Sequence, residues 1–273
     1  MKHTRTHKRA ERGVTLVELL VVISIIAVLA GLTLPVIGKV KIKGKITEAR
    51  KDMADIGGAI ATYKAEYSRM PVSTPAQNAA NGAPFTWGGD FVFGTYGVLG
   101  YSGVGTATNN LPSGYEANNS EVMLVLTATE QFPTSTNTVN AGHAKNVRKT
   151  QFLNAKQAEG TQPGLGDDGV FRDPFLQPYI ITLDLNYDDF VAPAVYRFQS
   201  VSQQSGTSGF YGLLHRDPVN VPLGNTDDYG LRNDFAIWSV GPDGKFHQSV
   251  RADGEGTISG QKVINSDNIL SWK

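Results

Sequence analysis

The sequence predicts an α+β fold: one long N-terminal α-helix, able to span a membrane with its first half, packed on a small antiparallel β-sheet. Three observations predict it. Residues 14–37 form an apolar stretch that carries a single charge, Glu18. Ile46, Ala49, Met53, Ile56, Ile60, Tyr63 and Tyr67 follow at alternating steps of three and four, one face of a helix. Beyond Gly166, short stretches of strand composition alternate with turn clusters. A sheet and an amphipathic helix each need a partner to cover an apolar face, and these two would cover each other.

Composition narrows the classes. Hydrophobic residues at 40% and charged residues at 18% allow a packed core and argue against wholesale disorder. Zero formal net charge gives no general attraction to nucleic acid, and no nucleic-acid partner is predicted. The absence of cysteine excludes a disulfide framework, a thiolate metal site and a cysteine nucleophile.

Residues 1–12 carry Lys2, Arg5, Lys8, Arg9 and Arg12 against Glu11, and Gly13 then precedes the apolar run. About 20 helical residues cross a hydrocarbon core of about 30 Å, so residues 14–37 are long enough to span. A basic start and an apolar middle fit a secretory signal peptide cut after Val28-Leu29-Ala30, a plain anchor, or a leader cut before the apolar run. Glu18 separates these fates. A carboxylate in an apolar span costs about 2.5–3.5 kcal/mol on insertion scales, and only a structure that supplies a partner gains from keeping it.

The run RGVTLVELLVVISIIAVLAGLTLP resembles the N-terminal motif of type IV pilins and type II secretion pseudopilins. The resemblance implies cleavage by prepilin peptidase between Gly13 and Val14 and N-methylation of the new Val14 amine. It also implies an assembly role for Glu18, pairing with the terminal amine of a neighbouring subunit, and places Pro35 at a helix-kinking position of the family. Val14 stands where that family usually has Phe. An unpaired Glu18 would penalise a wrong register, which makes it a registry device. Lys39, Lys41, Lys43 and Lys45 follow the span and nearly balance the leader's charge. The resemblance, not the charge count, therefore puts the leader in the cytoplasm. These lysines read as a solvated or headgroup-level face.

The division expected is a leader over 1–13, a transmembrane and assembly helix over 14–37, and its amphipathic continuation over 38–70. A globular domain follows over 71–273, periplasmic or extracellular, with a loop-rich insertion at about 72–170. The helix is expected to end near Arg69, stopped by Pro71. Residues 72–118, with Phe85, Trp87, Phe91, Phe93 and Tyr96 among Gly, Asn, Ala, Thr and Pro, read as a long, partly ordered loop or insertion. NSEVMLVLTATEQF reads as a short helix with Ser120 as N-cap and residues 122–126 buried. The strands are expected at 179–185, 194–198 and 234–240.

Two further stretches resemble the major pseudopilins of type II secretion: GVFRDPFLQPYIITLD, and DFAIWSVGPDGK followed by SDNILSW. The second corresponds to a calcium-binding loop in that family, which makes Asp243, Asp267 and Asn268 candidate ligands. Oxygen donors suit Ca²⁺, which takes six to eight of them, so backbone carbonyls would complete the shell. A Pro-Asp-Gly turn without metal is the plain alternative. The run Asp184-x-Asn186-x-Asp188 opens like an EF-hand, but Asp189 and Val195 occupy positions that need Gly and Glu. The histidines are scattered and no nucleophile, phosphate-loop or dinucleotide motif is present, so no enzyme is expected.

The resulting expectation is a structural subunit of a type II secretion pseudopilus or type IV pilus-like filament. Its partners would be further copies of itself, prepilin peptidase, an inner-membrane assembly platform and minor pseudopilins. Before assembly it would sit as a single-pass protein in the inner membrane. The alternative is a secreted binding domain delivered by a cleaved signal peptide, whose mature form would start at Gly31.

Overall fold

The computed structural model describes residues 13–82, 90–94, 119–216, 227–258 and 260–273. Helix α1 (Leu16–Tyr67) runs for 52 residues without interruption, through Pro35, Gly38 and Gly44. It ends where Ser68 enters the left-handed region at φ 53°, three residues before Pro71. Two units divide the chain, residues 1–44 and 45–273.

In the first unit the described apolar side chains of α1 are exposed; Leu16, Leu20, Ile26 and Leu32 are among them. By length and composition this part of the helix can cross a membrane.

In the second unit the expected stripe is the packing face. Ala49, Met53, Ile56, Ile60 and Tyr63 are fully buried, while Ile46 and Tyr67 are partly buried at its ends. They lie in one core cluster with residues of α2 (Thr74–Gly82), β1 (Asp90–Phe93) and α3 (Ser120–Leu126). The central sheet is antiparallel, in the order β1, β4 (Ile180–Asp184), β9 (Phe235–Ser239) and β12 (Ile269–Leu270). Its register pairs Phe91 with Leu183 and Ile181 with Ile237.

Alternation along these strands sends side chains to two separate cores. Phe91, Phe93, Ile181, Leu183, Ile237 and Ile269 join the cluster of α1. Val92, Ile180, Ala236, Trp238 and Leu270 join a second cluster with Val191, Tyr196, Leu213 and Phe246. The sheet is thus covered on both faces, which explains why β4 and β9 read as nearly continuous apolar runs. The second cover includes a short helix α4 (Gln199–Ser202) and a small sheet of β5 (Gln203–Ser205), β6 (Ser208–Gly209), β7 (Leu214–His215) and β8 (Tyr229–Gly230). Two hairpins complete the unit: β2 (Gly164–Leu165) with β3 (Phe171–Arg172), and β10 (Glu255–Ile258) with β11 (Gln261–Ile264).

Four expectations are corrected. Residues 194–197 form a 3₁₀ helix, not a strand: Pro193 precedes them with φ −70° and accepts the Arg197 amide at 3.0 Å. Proline offers no N–H to a ladder, and the segment still buries Val195 and Tyr196 by turning. The N-cap of α3 is Asn119 rather than Ser120, and Asn119 makes no side-chain cap bond. Its amide instead donates to the carbonyls of Phe171 and Tyr179 at 2.8 and 2.9 Å and accepts the Phe171 N–H, locking α3 to β3. The presumed loop at 72–118 contains α2 and the edge strand β1, because Ala76, Ala80, Phe91 and Phe93 reach the α1 core. Phe85, Trp87 and Tyr96 lie outside the described residues. The helix expected from residue 14 to about Arg69 spans Leu16–Tyr67. The buried run at 122–126 is as expected.

Candidate functional site

Two places bring together the residues singled out by the sequence. The first is the start of α1. Gly13, Val14 and Thr15 precede the helix in non-helical conformation, and Val14 is 74% exposed. Glu18 is turned back on the chain. Its Oε2 accepts the Thr15 N–H at 2.8 Å and the Thr15 hydroxyl at 2.9 Å, while the Glu18 N–H donates to Thr15 Oγ1 at 3.2 Å. This reciprocal exchange is a capping box, which satisfies backbone donors that the first helical turn leaves open. Thr15-x-x-Glu18 before an apolar run is its sequence signal, and the reading of Glu18 as an intersubunit partner alone missed it. The exchange also shows how the carboxylate is accommodated within a single chain. Glu18 lies five residues beyond Gly13 in the chain.

Pro35 lies within α1, whose backbone is helical on both sides of it.

The second place joins the two later motifs. Asp173 is buried and caps its own turn, accepting the Phe175 and Gln177 amides at 2.8 and 2.9 Å. Its other oxygen takes the hydroxyl of Ser239, at the end of β9, and Ser239 Oγ in turn accepts the Gly241 amide at 3.1 Å. Burial pushes the Asp173 carboxyl above the usual range, against the pull of these hydrogen bonds. The 241–244 turn therefore starts from the 173–177 turn. Gly241 has φ +70°, and a Cβ there would lie 2.3 Å from the Asp267 carbonyl, so the close approach of the two loops requires glycine.

Within that contact, Asp243 holds the loops: Oδ1 accepts the Lys245 amide at 2.9 Å and Oδ2 the Ile264 amide at 2.8 Å. Asp267 is close enough to feel its charge. Burial first, and Asp243 second, push the Asp267 carboxyl up to about 7. Asp267 Oδ1 and Asn268 Oδ1 are buried and have no hydrogen-bond partner among the described residues. Asn268 is oriented from its other end, where Nδ2 donates to the Tyr196 hydroxyl at 2.8 Å. Tyr196 sits edge-on to Trp238 and Trp272, with ring centroids at 5.1 and 5.6 Å. Asp243 and the Asp267–Asn268 pair thus sit on neighbouring loops, near enough for Asp243 to raise the Asp267 carboxyl. Unpartnered buried oxygens of this kind suit a hard cation.

A third group was not anticipated as a unit. Asp184, Asp189 and Asp234 place carboxylate oxygens within 4.8 Å of one another. Asp184, the first residue of the EF-hand-like run, is committed to its own loop: it accepts the amides of Tyr187, Asp188 and Asp189. Lys64 of α1 pairs with Asp234. Asp189 and Asp234 come from separate loops, so no sequence spacing announces the group. Asn186 and Asp188 bond to each other at 3.0 Å, as a polar turn does.

Residues 8–34 match the family model described as the prokaryotic N-terminal methylation motif. The fimbrial protein EcpC of Eikenella corrodens is 36% identical over 102 residues, 37% of this chain and 64% of EcpC's own length. The chain thus spans less than two thirds of that relative. No solved structure matches. The motif and the fimbrial relative support a type IV pilin-like family.

Proposed function

We propose that the chain is the precursor of a filament subunit, and that the filament is a type II secretion pseudopilus or a close pilus-like relative. The observation that carries this reading is the start of α1: a methylation motif over 8–34 that contains Gly13, Val14 and Glu18, followed by exposed apolar turns. Prepilin peptidase cuts between Gly13 and Val14 and methylates the Val14 amine. The physical logic is charge removal. The leader carries five Lys and Arg residues, each costing about 2.5–3.5 kcal/mol to move through a membrane centre. Cleavage leaves the processed subunit only the terminal amine and Glu18 within or beside the apolar span.

Glu18 then exchanges partners. In the single chain it is satisfied by Thr15; in the filament it pairs with the Val14 amine of the next copy. The membrane-spanning first half of α1 becomes the filament interior, and the unit starting at Lys45 lies outside the inner membrane, in the periplasm or beyond. An assembly platform and minor pseudopilins serve as further partners, and the role is structural, not catalytic.

Support for the pseudopilus assignment comes from the packing of the 173–177 turn against the 241–244 loop. In this reading Asp243, Asp267 and Asn268 hold Ca²⁺, and the cation supplies the positive charge that two neighbouring carboxylates lack. Mass spectrometry of the protein from its source tests the main claim. A methylated Val14 at the mature N-terminus is expected; a mature chain starting at Gly31 would mark a signal peptide and a secreted binding domain instead.

A further inference from the structure

Immediately beyond the apolar run, α1 carries Lys39, Lys41 and Lys43, all exposed, and no acidic residue lies between Glu18 and Glu48. We infer that these three lysines form a girdle that binds the phosphates of anionic phospholipid headgroups on the side of the membrane away from the leader. The inference rests on the reading of α1 as membrane-spanning and names the lipid class that this end of the span engages.

Distance along the helix gives the first argument. Lys39 lies about 35 Å and Lys43 about 40 Å beyond Leu16 at 1.5 Å per residue. A hydrocarbon core is about 30 Å thick, and about 40–45 Å with its headgroups. A span entering near Leu16 therefore delivers all three ammonium groups to the far headgroup layer. The neighbouring residues fit that level. Val40 and Ile42 are 60% and 44% exposed and alternate with the lysines, whose aliphatic stems can lie along acyl chains while the charges reach outward.

The second argument is angular. At 3.6 residues per turn, Lys39 and Lys43 are about 40° apart, and Lys41 is about 160° or more from each. A helix lying on a membrane would gather its cations on one face. Cations on opposite sides suit a helix standing upright, ringed by headgroups.

The third is electrostatic. Lys39 and Lys43 repel at i,i+4, and Gly38 and Gly44 bracket them with poor helix formers. Anionic lipid phosphates around the helix would relieve that repulsion. Lys45, further along the helix, has its ammonium 5.3 Å from the Phe175 ring centroid.

The test is native mass spectrometry of the full-length chain in detergent, titrated with phosphatidylglycerol or phosphatidylcholine. Wild type should retain phosphatidylglycerol preferentially. Single Lys→Gln changes at 39, 41 or 43 should each lower that preference about fivefold, and the triple variant about a hundredfold. The leader cations are unchanged in every variant, so the loss reports the girdle alone. Equal retention of the two lipids by wild type, or an unchanged preference in the triple variant, would overturn the inference. So would unchanged lipid retention combined with lost cross-links to Glu48 of a neighbouring copy, which would assign the lysines to filament contacts. Carbonate extraction of wild type from membranes is read separately: release would refute the span itself, whereas retention without a lipid preference would refute only the girdle.

Discussion

Asp90 offers a quantitative check on the packing of the central sheet. It sits at the start of β1, opposite Asp184 in the register, with its side chain only 2% exposed. Oδ2 accepts the Ala192 amide at 2.7 Å, and Oδ1 has no hydrogen-bond partner among the described residues. Arg216 is nearer to Asp188, at 3.2 Å, than to Asp90, at 3.9 Å. Burial therefore dominates and pushes the Asp90 carboxyl up to about 8, with Asp184 and Asp188 adding to the rise and Ala192 and Arg216 opposing it. An acid with a raised folded pKa stabilises the fold below its unfolded value near 3.8, and that contribution is lost as pH rises through about 8. About four pKa units correspond to roughly 5 kcal/mol, a large part of an ordinary domain's stability. Asp90→Asn keeps an acceptor for Ala192, places an amide donor at the unpartnered oxygen, and cannot ionise. Urea unfolding followed by tryptophan fluorescence at pH 4.5, 6.5 and 8.5 measures both proteins. The variant should gain on wild type progressively across that range, by several kcal/mol at the alkaline end. A stability difference that stays constant with pH would refute the argument, because burial would then not be setting the protonation of Asp90.

Adjacent glycines in α1 should respond in opposite senses. A Cβ at Gly57 would lie 2.9 Å from Phe235 Cε2, so Gly57→Ala should destabilise by about 1–3 kcal/mol, less the gain of up to about 1 kcal/mol in helix propensity. Gly58 has nothing within 4 Å of that position, so Gly58→Ala should raise the melting temperature. Glu18→Ala should still be cut after Gly13 yet give few filaments by electron microscopy; normal filament yield would contradict its role in register. Calcium should raise the melting temperature of wild type relative to chelator, and Asp267→Ala should abolish the difference. Equal melting in both buffers would remove the metal from the C-terminal loops.

What could be read from the chain was what depends on neighbours in sequence. The apolar run with its single carboxylate, the stripe from Ile46 to Tyr67, the buried turn at 122–126 and strands β4 and β9 are all periodic or compositional signals. Each reports which side of one element faces apolar surroundings. The Thr15–Glu18 capping box is also a local signal, carried by its i,i+3 spacing. Tertiary structure decided what depends on partners distant in sequence. Asn119 left its capping role because Phe171 and Tyr179 present backbone groups to its amide. β1 emerged from a Gly- and Asn-rich stretch because β4 offers an edge and α1 an apolar face. Residues 194–197 turned into a 3₁₀ helix because Pro193 cannot donate to a ladder while Val195 and Tyr196 still have a core to enter. Asp243, Asp267 and Asn268 were suggested by resemblance, yet the buried, unpartnered oxygens of Asp267 and Asn268 arise only where the loops close over Gly241. Periodicity encodes the environment of one face; the coordination of a carboxylate depends on which other loops arrive beside it.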